Sequence, residues 1–161
     1  MLAYSDRKEA VDRDVRKAVS QAGKRVVIGG LGLTSEKRSK QQVRDYLEEL
    51  YGAVRLRSRL YRSGVEFASK FDASDLSDVL YLLDKLGLGE GKVIQESNGH
   101  VVLRVSKCTC CEVGGSERGC DFTAGFIAGA LMKAGKPEST QVSEVACGEH
   151  SGTSCVFVAS W

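Results

Sequence analysis

Asn98-Gly99 stands between two runs of β-forming residues, "GKVIQES" (91–97) and "HVVLRVS" (100–106). A two-residue hairpin loop favours positive φ at one or both of its central residues, and Asn-Gly is the pair that accepts it at least cost. The flanking runs carry the β-branched residues that favour pleated, half-buried surfaces. The chain is therefore committed to an antiparallel hairpin, and one face of that hairpin needs cover.

Helical spacing supplies the cover. Ser5 caps a first segment in which Val11, Val15, Ala18, Val19 and Ala22 share a face, and Gly23 ends it. "RVVIGGLGL" (25–33) reads as a short strand entering a Gly turn; with no Lys-Ser/Thr after it, the phosphate-loop pattern is not met. Val43, Tyr46, Leu47 and Leu50 mark a second helix, and Leu60, Tyr61, Gly64, Ala68 and Phe71 mark a third over 54–71. "DASD" (72–75) caps a fourth, with Leu76, Val79, Leu80, Leu83 and Leu86 inward and Gly87 as its stop. A fifth spans 120–134, with Phe122, Phe126, Ile127, Ala130 and Leu131 apolar, and Gly125 and Gly129 permit close approach to a neighbour. "STQVSEVAC" and "SCVFVAS" close the chain as a second strand pair. The expected fold is α+β, a single domain with helices packed on one face of an antiparallel sheet. Within its 161 residues, 1–24 form a separate N-terminal helix suited to dimerisation, and 25–161 form the domain proper.

The formal charge of +2 is too small to mark a nucleic-acid or acidic-membrane partner, and Arg44, Arg55, Arg57, Arg59 and Arg62 are interleaved with Asp45, Glu48 and Glu49. No apolar run approaches the ~18 residues of a membrane span. The first 17 residues lack the apolar middle of a secretory signal, so the expected location is the cytoplasm. Thiols stay reduced there, which turns six cysteines toward metal or redox chemistry rather than a disulfide frame.

Four of the groups needed for a metal site fall in two places. Glu144, Cys147 and Cys155 lie in "EVACGEHSGTSC" (144–155), where a hairpin brings the two thiols together. Glu144 is three residues from Cys147, on the opposite face of an ideal strand, and needs a bulge near Val145 to come round. Cys120 opens the fifth helix, where free amides and the helix dipole favour a thiolate. "CTCC" adds Cys108, Cys110 and Cys111, and His150 is a further alternate. Spacing alone leaves three readings open: a metal site, buried inert thiols, or a redox pair.

Taken in order, "RLYRSGVEFASKF", "LLDKLGLGEGKVIQESNGHVVLRVSKC", "GCDFTAGFIAGAL" and "EVACGEHSGTSCVFV" resemble the 4-vinyl-reductase-type domain over about residues 40–158. That family shares its fold with nitric-oxide-signalling and Golgi-transport ligand-binding domains. The resemblance implies a zinc ion held by Cys120, Glu144, Cys147 and Cys155 beside a pocket for a hydrophobic or aromatic ligand. Two departures stand out. Gly119 replaces the Pro or similar residue usual before the first cysteine, and "CTCC" leaves open whether Cys108, Cys110 or Cys111 displaces Glu144.

The leading expectation is a zinc-stabilised, sensor-like module for a hydrophobic or aromatic small molecule, with Leu60, Tyr61, Gly64, Phe122, Phe126 and Ile127 as pocket residues. The alternative is an assembly protein of the trafficking-subunit type that uses the fold to form a homodimer. Vinyl-group reduction ranks third: no nucleotide fingerprint or Cys/His catalytic pair is present, and a four-ligand zinc has no open position. Thiolate sites also accept iron or copper.

Overall fold

The structure, a computed structural model, describes residues 35–148 and 154–161. The N-terminal helix, the strand at 25–33 and His150 fall outside them. The described elements run α1 (Ser35–Ala53), α2 (Arg57–Ala68), α3 (Leu76–Lys85), β1 (Glu90–Ser97), β2 (His100–Ser106), α4 (Thr109–Arg118), α5 (Asp121–Lys133), β3 (Gln141–Ala146) and β4 (Ser154–Ser160). The four strands form one antiparallel sheet in the order β1-β2-β4-β3. The α+β architecture is the one expected from the sequence.

Alternation sets the buried face of the sheet. Val101, Leu103 and Val105 of β2 point inward with Cys155, Phe157 and Ala159 of β4, and all six are buried. Val105 lies opposite Cys155, and Leu103 opposite Phe157. Against this face lies α5, in which every residue from Phe122 to Leu131 is buried. Apolar character all round is what a helix needs when it is enclosed on both sides. Its outer neighbour is α2, and α1 closes the top with Val43, Leu47 and Tyr51 at helical spacing.

The α2–α5 seam is tight because two glycines meet there. A Cβ on Gly125 would fall 1.9 Å from the Tyr61 carbonyl oxygen, and one on Gly64 would fall 2.1 Å from the Phe122 carbonyl oxygen. Backbone therefore lies against backbone, and side chains are displaced to the flanks. On one flank Tyr46, Phe67, Phe71, Phe122 and Phe126 form a continuous aromatic cluster, with ring centroids 5.3–6.3 Å apart.

Two features differ from the sequence reading. The helix expected over 54–71 begins at Arg57, because Leu56 at its N-cap is extended. At the next helix, Asp75 is the N-cap as expected: its Oδ1 accepts from the Asp78 N–H at 2.9 Å, and Asp78 Oδ2 accepts from the Ser74 N–H at 2.8 Å. Asp75→Ala removes one of these acceptors and is expected to cost about 1 kcal/mol, measurable by denaturant unfolding.

The second difference is α4, to which the sequence reading assigned no element. It is fastened at its start, where Thr109 donates through Oγ1 to the Gly87 carbonyl and through its N–H to the Leu88 carbonyl. It then packs against α1.

Candidate metal centre

Four elements converge at one end of the sheet. Cys111 comes from the first turns of α4, and Cys120 is the N-cap of α5. Cys147 follows β3, and Cys155 begins β4. Glu144 lies on β3 opposite Phe157, and the pairing shifts between Glu144 and Ala146. That irregularity, centred on the exposed Val145, is the bulge the spacing required. It lets Glu144 and Cys147 serve the same point.

One ligand atom from each of Cys111, Cys120, Glu144, Cys147 and Cys155 lies within 4.8 Å of every other. Cys111 Sγ is 3.1 Å from Cys120 Sγ, 3.4 Å from Cys147 Sγ and 3.0 Å from Cys155 Sγ. Cys120 and Cys155 are fully buried, with their sulfurs 3.6 Å apart. None of the six thiols is in a disulfide.

Backbone groups and a carboxylate hold the cluster in place. The Cys120 N–H donates to Glu144 Oε2 at 2.9 Å, and the Gly148 N–H donates to Cys155 Sγ at 3.3 Å. Arg57 Nε donates to Asp121 Oδ2 at 2.6 Å, which places a guanidinium at the α5 start. Gly119 has φ +58°, a conformation closed to proline, in the turn that leads into Cys120.

The remaining two cysteines sit beside the cluster. Cys108 Sγ is 3.5 Å from Cys120 Sγ, and Cys110, fully buried, accepts from Thr123 Oγ1 at 3.0 Å. His100 is at the opposite end of β2, with Nδ1 2.7 Å from Ser97 Oγ. An open cleft of about 160 Å³ reaches the centre, lined by Cys108, Cys111 and Cys155 between Lys107 and Ser154.

The donors fit a thiophilic metal ion. Glu144 Oε1 is buried without a hydrogen-bond partner, a costly position for a carboxylate oxygen. Tetrahedral thiolate coordination at ~2.3 Å separates sulfurs by roughly 3.8 Å, slightly more than the spacing found among the thiols. The cluster can hold a metal ion, and four protein ligands would close it to solvent.

Electrostatics indicate what a bound metal would displace. Hydrogen bonding to Cys108, with burial, raises the pKa of Cys111 and Cys120, and Cys155 is pushed up to about 12. Burial raises Cys110, whereas neighbouring thiols, Cys110 foremost, hold Cys108 below the ordinary range. Raised groups keep their protons at neutral pH, so each thiol of Cys111, Cys120 and Cys155 that binds metal surrenders one. Apparent affinity should therefore rise with pH, and acid should return the protons and release the metal. Proton release on metal addition in weak buffer measures this directly.

The six residues expected to line a pocket are brought together along the α2–α5 seam. Leu60, Gly64, Phe122, Phe126 and Ile127 are buried between α2, α5 and the sheet, and Tyr61 Oη accepts from the Val142 N–H at 3.2 Å. Contact between the two backbones leaves no space at the Gly64–Gly125 crossing itself. A groove of about 350 Å³ lies elsewhere, walled by Leu76, Val101, Leu131 and Trp161 with Asp75 and Lys136 at its edge. No sequence signal pointed to it, because its walls come from four separate elements. No helix among the described residues is long and apolar enough to cross a membrane.

No family model matches the chain. An uncharacterized protein of Methanocaldococcus jannaschii is 30% identical over 118 residues, which are 73% of this chain and 51% of that protein. The chain thus spans about half the length of that relative. Two solved structures share the fold. One is a vinyl-4-reductase family protein from Methanocaldococcus jannaschii, with 17% identity and TM-score 0.57 over 99% of this chain and 97% of that one. The other is the phenol-responsive sensory domain of the transcription activator PoxR with phenol, with 14% identity and TM-score 0.54 over 91% and 89%. The resemblance read from the sequence is borne out at the level of the fold.

Proposed function

We propose that the chain is a small-molecule-binding module of the sensory type, taking a hydrophobic or aromatic ligand and stabilised by zinc. The observation that carries this reading is the fold it shares with a sensory domain solved with phenol. The thiol-carboxylate cluster supports the metal part. Zinc suits it best of the divalent ions because a four-ligand shell rich in thiolate matches its preferences. Its role would be structural: it ties the start of α5 to the terminal hairpin. The same closure argues against an enzyme, since no position remains for substrate.

Ligand would be taken up at the aromatic cluster of Tyr46, Phe67, Phe122 and Phe126, with α1 and α2 yielding to admit it. Occupancy would then be felt at Cys120, two residues from Phe122. A panel of phenols and unsubstituted aromatics, followed by thermal shift, tests this. Binding that is weakened by Phe122→Leu and untouched by Trp161→Ala supports the interior site, and the reverse moves the ligand to the groove beside Trp161. No stabilisation by any member of the panel would sink the binding reading.

The module would act in the cytoplasm as a homodimer built through the segment before α1. Deleting residues 1–23 and measuring solution mass checks that role; an unchanged mass removes it.

A further inference from the structure

We propose that Cys111, rather than Glu144, is the fourth ligand of the metal centre, and that Glu144 is a positioning residue for Cys120. The inference rests on the metal-binding part of the function proposed above and gives the centre a shell of four thiolates.

Geometry singles out Cys111. Its sulfur lies 3.0–3.4 Å from each of the other three, closer than the 3.6 Å between Cys120 and Cys155. It is the sulfur around which the others gather. It is also half-buried and lines, with Cys155, the cleft that reaches the centre. Sequence distance hides this: Cys111 is 44 residues from Cys155, and only the docking of α4 joins them.

Glu144 already has a task. Its Oε2 accepts from the amide of Cys120, the residue that opens α5 without a side-chain cap of its own. A Cβ built on Gly119 would lie 3.1 Å from both Glu144 Oε2 and Arg57 Nη2, so carboxylate and guanidinium flank the same turn. Glu144 thus fixes the backbone that aims the Cys120 thiolate, the kind of support that metal ligands need from their surroundings. Its unpartnered Oε1 is the one atom that competes with Cys111. Given a choice between carboxylate and thiolate, a thiophilic ion takes the thiolate.

X-ray absorption at the zinc edge of the loaded wild-type chain tests the assignment without a variant. Four sulfur neighbours are expected; three sulfurs and one oxygen would overturn it. Cobalt(II)-loaded variants give a second readout, because the sulfur-to-metal absorption scales with the number of thiolates. Cys111→Ser should lose about a quarter of that intensity, one thiolate of four, whereas Glu144→Gln should keep it and bind metal more weakly. Full intensity in Cys111→Ser would overturn the assignment. Failure of the wild type to bind zinc or cobalt would overturn both this assignment and the metal centre. Neither readout depends on a small-molecule ligand.

Discussion

Gly125→Ala is expected to destabilise the chain by about 3 kcal/mol, a fall in Tm of roughly 6–12 °C. The added methyl would sit 1.9 Å from the Tyr61 carbonyl oxygen and 2.7 Å from its carbon. Both are backbone atoms of α2, so no rotamer change relieves the clash and the two helices must separate. Separation opens the seam above Phe122 and Phe126, which α5 holds against the sheet, and it shifts the α5 start that carries Cys120. Gly52→Ala is the matched control. Nothing lies within 4 Å of the new methyl, and replacing a helical glycine should stabilise by about 0.5–1 kcal/mol. Opposite signs at two helical glycines would separate packing from propensity.

Loss of the proposed metal is the second large effect expected. Cys120→Ala removes a fully buried thiol from the cluster and should cost it the metal, and chelation of the wild-type chain should have the same effect without a mutation. Where free metal exceeds the dissociation constant about 1,000-fold, the bound ion contributes about 4 kcal/mol to stability. The loss should be local first. Amide exchange is expected to quicken at 141–147, at 154–156 and in the first turn of α5, while the β1–β2 hairpin, closed by its own turn, stays protected. A uniform increase across the sheet would mean that the cluster fastens no particular corner.

Much of this was legible in the sequence because the signals were local. Asn98-Gly99 set the first hairpin and Asp75 the start of α3, each through a turn or cap that involves few residues. The bulge at Val145 followed from wanting Glu144 and Cys147 on one side of a strand. The α4 helix did not show itself, since Gly114-Gly115 and Ser116 are poor helix formers. Its place is set by tertiary contacts: Thr109 binds the turn after α3, and Gly114 lies against the ring of Tyr51. With α4 unread, Cys111 was one alternate among four, and nothing in the spacing set it above Cys108. The tight glycine crossing was half-legible. Gly125 and Gly129 announced close packing, but that Gly64 faces Gly125 depends on the crossing of two helices some 60 residues apart.

Native mass spectrometry of the freshly purified chain bears most directly on the metal centre. One tightly held divalent metal per chain is expected, retained at neutral pH and shed on acidification as the thiols of Cys111, Cys120 and Cys155 recover their protons. A metal-free mass at neutral pH, from protein purified without chelator, would contradict it.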